Sequence, residues 1–112
     1  MSLGPVLAYL KRSDRPTAVV CQTDMTAVAF LRAAEALGLR VPEELSVVGY
    51  NDQAEAAEMH PPLTTVAQPR RLASRAAIQL LLEAAAGRHE DYQTRVIECD
   101  LALRKTTAPP AG

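Results

Sequence analysis

The chain has 112 residues, enough for one domain with its own core. Hydrophobic residues at 48% exclude a disordered chain, and aromatics at 4% without a Trp leave no platform for stacking nucleobases. With 12 basic and 13 acidic residues, net charge −1, the chain lacks the positive surface with which a protein grips DNA phosphates.

Taken in order, residues 4–12 read as the last turns of a helix, and Ser13–Pro16 as a loop. Ala18-Val19-Val20-Cys21-Gln22 is a short apolar run, read as a buried parallel strand. Thr23 or Asp24 caps the next helix, with Asp24 assigned to capping because its charge suits the positive end of the helix dipole. Ala27, Phe30, Leu31, Ala34 and Leu37 recur at helical spacing, and Gly38 supplies the left-handed stop with Leu39 closing the cap. Ser46–Tyr50 reads as a second buried strand, so strand, helix and strand form a βαβ unit of a mostly parallel sheet.

Leu63–Val66 is a further extended piece ending at Gln68. A long helix runs from Pro69 to about Ala86 with an apolar stripe of Leu72, Ala73, Ala76, Ala77, Leu80, Leu81 and Ala84, and Gly87 ends it. Val96–Arg104 alternates, Ile97, Cys99, Leu101 and Leu103 against Glu98, Asp100 and Arg104, which predicts a strand with one wet face. Residues 106–112 read as a flexible tail. Cys21 and Cys99 lack metal or redox spacing and read as small buried hydrophobes in a reducing compartment. There is no membrane-length apolar run and no signal peptide, and Met1-Ser2-Leu3 looks vector-derived.

Ligands of open parallel sheets bind beyond the carboxyl ends of the strands, which puts Asn51, directly after Tyr50, first among site candidates. Asn is also a common turn residue at such a place. Enzymatic readings have little support. His60 and His89 have no catalytic partners at motif spacing, Ser13, Ser46 and Ser74 lie outside any nucleophile elbow, and the five glycines form no phosphate loop. His89-Glu90-Asp91 is too local to converge on a metal ion, and Arg70-Arg71 reads as a solvated face. No catalytic residue, metal or cofactor is expected.

A series of blocks resembles the C-terminal part of the effector-binding domain of LacI/GalR-family transcription regulators. The blocks are Pro16–Val20, Thr23-Asp24, Gly38–Asp52, Pro61–Val66 with Gln68-Pro69, and Leu103-Arg104-Lys105-Thr106-Thr107. The resemblance implies an α/β fold: part of a periplasmic-binding-protein-like, type I, Rossmann-like lobe with a mostly parallel sheet. It implies that residues 4–105 are a fragment, and that all DNA contact comes from an N-terminal region not in this chain. It assigns ligand contacts to Asn51, Thr23 and Gln68, where the family commonly has Asp at the first position and Asn at the second. It assigns a homodimer interface to Met25, Val28, Met59 and His60. A small sugar or related metabolite bound between two lobes would tune operator affinity in a cytoplasmic regulator, without a membrane partner. The alternative is a fragment of a periplasmic sugar-binding protein of a transport system. A helix parted from its lobe would expose its Leu/Ala stripe, and pairing with another copy would cover it.

Overall fold

The computed structural model describes residues 2–88 and 93–110, so the His89-Glu90-Asp91 group lies outside the described residues. Among the described residues, eight elements follow one another: α1 (Leu3–Leu10), β1 (Ala18–Val20), α2 (Asp24–Ala36), β2 (Ser46–Tyr50), a 3-10 turn (Ala54–Glu58), β3 (Thr64–Ala67), α3 (Arg70–Ala85) and β4 (Asp100–Ala102). The sheet order is β1-β2-β3-β4, with β1 parallel to β2 and β2 parallel to β3. The fold is therefore α/β with a mostly parallel sheet, as expected. The chain divides into two compact units, one formed by Met1–Ala67 with Leu101–Gly112 and the other by Gln68–Asp100.

In the first unit the core is aliphatic and dominated by small residues: Val6 and Leu10 of α1, Ala27, Ala29, Ala33 and Ala34 of α2, and Leu45, Val47 and Leu63 around the sheet. The alanines let α2 lie close to the sheet, while Phe30 packs at the edge of this core and meets Tyr9 of α1 edge-on at 6.5 Å. α2 ends as its sequence predicts. Gly38 has φ 70°, its N–H donates to Glu35 O, and the Leu39 N–H reaches back to Ala34 O at 2.8 Å. That pair of bonds is the Schellman stop, and a residue with a Cβ would be strained there.

Three expectations are corrected. The β1 strand is shorter than Ala18–Gln22 and is not buried: it lies at the sheet edge, and Val20 is 79% exposed. Edge strands are covered by only one neighbour, and the buried residue of the segment is Cys21, just past the strand. The run Val96–Arg104 yields only the three-residue β4, and Cys99, Leu101 and Leu103 are exposed. Alternation specifies a two-faced strand, but burial of one face needs a second layer to pack against it. Finally, the predicted flexible tail is held at its start. Thr106 is fully buried: its N–H-accepting hydroxyl takes a bond from Thr64 N at 2.9 Å and donates to Val47 O at 2.6 Å, while its own carbonyl accepts from Val47 N at 2.8 Å. Ala108 N–H follows by donating to Ser46 Oγ at 3.1 Å.

In the second unit, α3 has no buried residue, and Leu72, Ile78, Leu81 and Leu82 are all more than half exposed. The Leu/Ala stripe is thus largely open in this chain, the exposure expected of a helix parted from its lobe. A unit of this size holds too little chain to cover a 16-residue helix.

The two thiols differ. Cys21 is buried, and desolvation pushes its pKa up to about 11, whereas Cys99 is exposed and both are free. A thiol reagent at pH 8 is expected to modify Cys99 rapidly and Cys21 only on unfolding, which mass spectrometry of the labelled chain with and without urea would check.

Candidate functional site

Because β1 and β2 are parallel and paired Val20 to Val48, both strands deliver the chain to the same edge of the sheet. The Cys21 N–H still donates to Val48 O at 2.8 Å, which carries the pairing one residue past β1. From there β1 leads to Thr23 and β2 to Asn51. A shallow depression of about 440 Å³ opens between the strand ends, lined by Val20, Cys21, Gln22 and Tyr50. The structure thus brings Thr23 and Asn51 to one end of two adjacent strands, where ligands of parallel sheets bind.

Thr23 is the N-cap of α2: its backbone is extended and its hydroxyl accepts from Thr26 N at 3.2 Å. The Thr26 hydroxyl also lies 3.2 Å from Thr23 Oγ1. Capping therefore belongs to Thr23 and not to Asp24, which corrects the sequence reading. Asp24 occupies the first turn but is completely buried, its carboxylate turned across to the neighbouring strands. Its Oδ1 accepts from the Thr65 hydroxyl at 2.5 Å and its Oδ2 from Gln53 N at 2.7 Å. Charge-assisted bonds and the helix N-terminus compensate for the loss of water.

Gly49 makes room for this carboxylate. A Cβ at Gly49 would overlap Asp24 Oδ1 and stand 2.9 Å from Leu63 Cδ2. Gly49→Ala is expected to destabilise the unit by about 1–3 kcal/mol through overpacking, visible as a lower urea midpoint.

Beyond Gly49 and Tyr50 the backbone turns sharply, with φ 111° at Asn51 and φ 52° at Asp52. Both are left-handed, a region that residues with a Cβ rarely occupy. Asn51 N–H donates to Val66 O at 2.8 Å, and Asp52 N–H to Thr65 Oγ1 at 3.3 Å. The Asp52 carboxylate pairs with Arg104 Nη2 at 2.8 Å, and Arg104 Nη1 donates to Leu63 O, also at 2.8 Å. Sequence reasoning missed Asp52, Thr65 and Arg104. Their partners lie 13 to 52 positions away, so no local pattern signals them.

Gln68, the remaining ligand candidate, follows β3 directly and begins the second unit, where its carbonyl accepts from Arg70 N at 2.9 Å. The four interface candidates are gathered on one side of the first unit. Met25 and Val28 on α2 line a cleft of about 440 Å³ with Met59, and Val28, Met59 and His60 line another of about 400 Å³. Met25 is 64% exposed.

A family profile described as a periplasmic binding protein-like domain matches residues 3–107. The ribose operon repressor of Haemophilus influenzae is 38% identical over 101 residues, 90% of this chain but only 30% of that protein. Among solved structures, a lac repressor dimer bound to operator and the anti-inducer ONPF aligns with TM-score 0.84 at 32% identity, over 94% of this chain and 36% of that one. A LacI-family transcriptional regulator from Enterococcus faecium with bound ribose aligns with TM-score 0.77 at 28% identity, over 94% of this chain and 39% of that one. The chain spans under a third of the length of that curated relative. With a periplasmic binding protein-like profile across nearly its whole length and LacI-type repressors as relatives, the chain belongs to the LacI family of transcription regulators, within their effector-binding domain.

Proposed function

We propose that the chain supplies part of the effector-binding core of a LacI-family regulator working in the cytoplasm, and that it acts by binding and not by catalysis. The effector is a small neutral sugar or related metabolite. One observation carries this reading: Thr23 and Asn51 follow the carboxyl ends of adjacent parallel strands, where the flanking Val20, Cys21, Gln22 and Tyr50 line an open depression. Asn51 offers an amide that both donates to and accepts from hydroxyl groups without bringing a charge. Gln68 is a third contact by the family resemblance. The repressor relative and the ribose-bound neighbour support a sugar-like ligand.

The Met25, Val28, Met59 and His60 face pairs two copies, a reading supported by the dimeric lac repressor. Effector binding favours one arrangement of the paired subunits, and through it changes the affinity of the whole protein for operator DNA. By linkage, the operator changes effector affinity by the same factor. DNA is touched only by parts of the whole protein outside this chain.

The test uses the full-length gene product and a panel of D-ribose, D-galactose, lactose, adenosine and cytidine, followed by calorimetry and by binding to a selected operator. One member of the panel is expected to bind and to shift operator affinity. Asn51→Ala should then weaken that ligand by about 10- to 100-fold, the loss of one or two buried hydrogen bonds. Micromolar sugar binding by the 112-residue chain alone, which spans under a third of its curated relative, would contradict a shared cleft.

A further inference from the structure

We propose that Asp24 and Thr65 are positioning residues for effector recognition: together they hold the Asn51–Asp52 turn in the left-handed backbone that presents Asn51. The proposal rests on the reading of Asn51 as a ligand contact. Both are fully buried, and the Asp24 carboxylate and Thr65 hydroxyl are engaged with the turn and with each other. What they touch is the turn. Three successive amides are tied down, Asn51 N to Val66 O, Asp52 N to Thr65 Oγ1 and Gln53 N to Asp24 Oδ2. The Thr65 hydroxyl donates to Asp24 Oδ1, so the last two anchors are joined in one network. Arg104 adds a fourth tie through the Asp52 carboxylate.

Such anchoring exceeds what a connection after a strand requires. A glycine at position 51 would take φ 111° without strain, yet an asparagine stands there. Strained backbone persists where the surroundings over-determine it, and it gathers where a side chain must be aimed. Here the over-determination comes from α2 and β3 together, through groups that only meet in the folded sheet. The same network orients Asn51 whether or not a ligand is present, so the contact is organised in advance.

The experiment measures two things on the full-length gene product: amide hydrogen exchange at residues 51–53, and affinity for the sugar and nucleoside panel named above. Thr65→Val removes the hydroxyl and keeps the shape; Thr65→Ser restores the hydroxyl. Thr65→Val is expected to speed exchange at Asp52 and Gln53 and to weaken the ligand, each by about tenfold or more, while Thr65→Ser stays within about threefold of the parent. Asn51→Gly keeps a backbone that tolerates φ 111° and is expected to lose the ligand without speeding exchange at Asp52 and Gln53. If Thr65→Val does not fold, Asp24→Asn replaces it. Faster exchange with unchanged affinity, in a protein whose affinity does fall with Asn51→Ala, overturns the positioning role. Unchanged exchange overturns it as well. If no panel member binds, or Asn51→Ala binds normally, the effector reading itself fails and the proposal falls with it; the exchange data still report separately whether the network holds the turn.

Discussion

Asp24→Ala is expected to cost the first unit about 3–5 kcal/mol, because it deletes two charge-assisted hydrogen bonds at once and strands their buried donors. The Gln53 N–H and the Thr65 hydroxyl lose their acceptor, and the space beside Gly49 is left empty. Against a total of about 5–15 kcal/mol for a domain, such a loss leaves a marginal fold. Urea unfolding followed by circular dichroism would show the midpoint falling by about 1 M or more. Asp24→Asn separates shape from charge. It keeps one acceptor oxygen, so the Gln53 bond survives, but its amide nitrogen faces the Thr65 hydroxyl, which must then turn to accept. An intermediate loss is expected. Equal midpoints for Asp24→Ala and the parent would remove the carboxylate from any account of this fold.

Thr106→Val is expected to cost about 2–4 kcal/mol although it changes almost no volume. Thr106 sits between the amino ends of β2 and β3, opposite the candidate site. β3 begins opposite Val48, so Val47 has no β3 partner, and the Thr106 backbone fills that place. The hydroxyl bonds Val47 O and Thr64 N together, and valine would leave both unsatisfied inside the core. Thr106→Ser keeps the hydroxyl and loses a methyl, for about 1 kcal/mol. The same urea experiment distinguishes them: a valine variant as stable as the serine variant would mean that the hydroxyl bonds contribute nothing net.

The candidate site was partly legible before folding. Asn51 follows directly after the last residue of β2, and Thr23 sits between a strand and a helix start, so position alone marks both. The role of Asp24 was misread for a definite reason. Capping preferences describe a carboxylate at an isolated helix end, where water and the first-turn amides compete for it. Here Thr23 already supplies the cap, and the approach of β2 and β3 offers Asp24 two stronger donors.

What the sequence determined by itself is local. Periodicity and capping chemistry delimit α2 and β2 almost to the residue, and Gly38 stops its helix because the left-handed cap needs no Cβ. Those preferences act within a turn or two of chain, so they survive whatever surrounds them. Tertiary structure decided which apolar runs are covered and where the polar groups end. Val20 is open because its strand is an edge, α3 is open because its unit is too small to cover it, and Thr106 is buried because β2 needed a partner. Burial and long-range hydrogen bonds depend on which surface arrives opposite a residue, and that is a property of the assembled sheet.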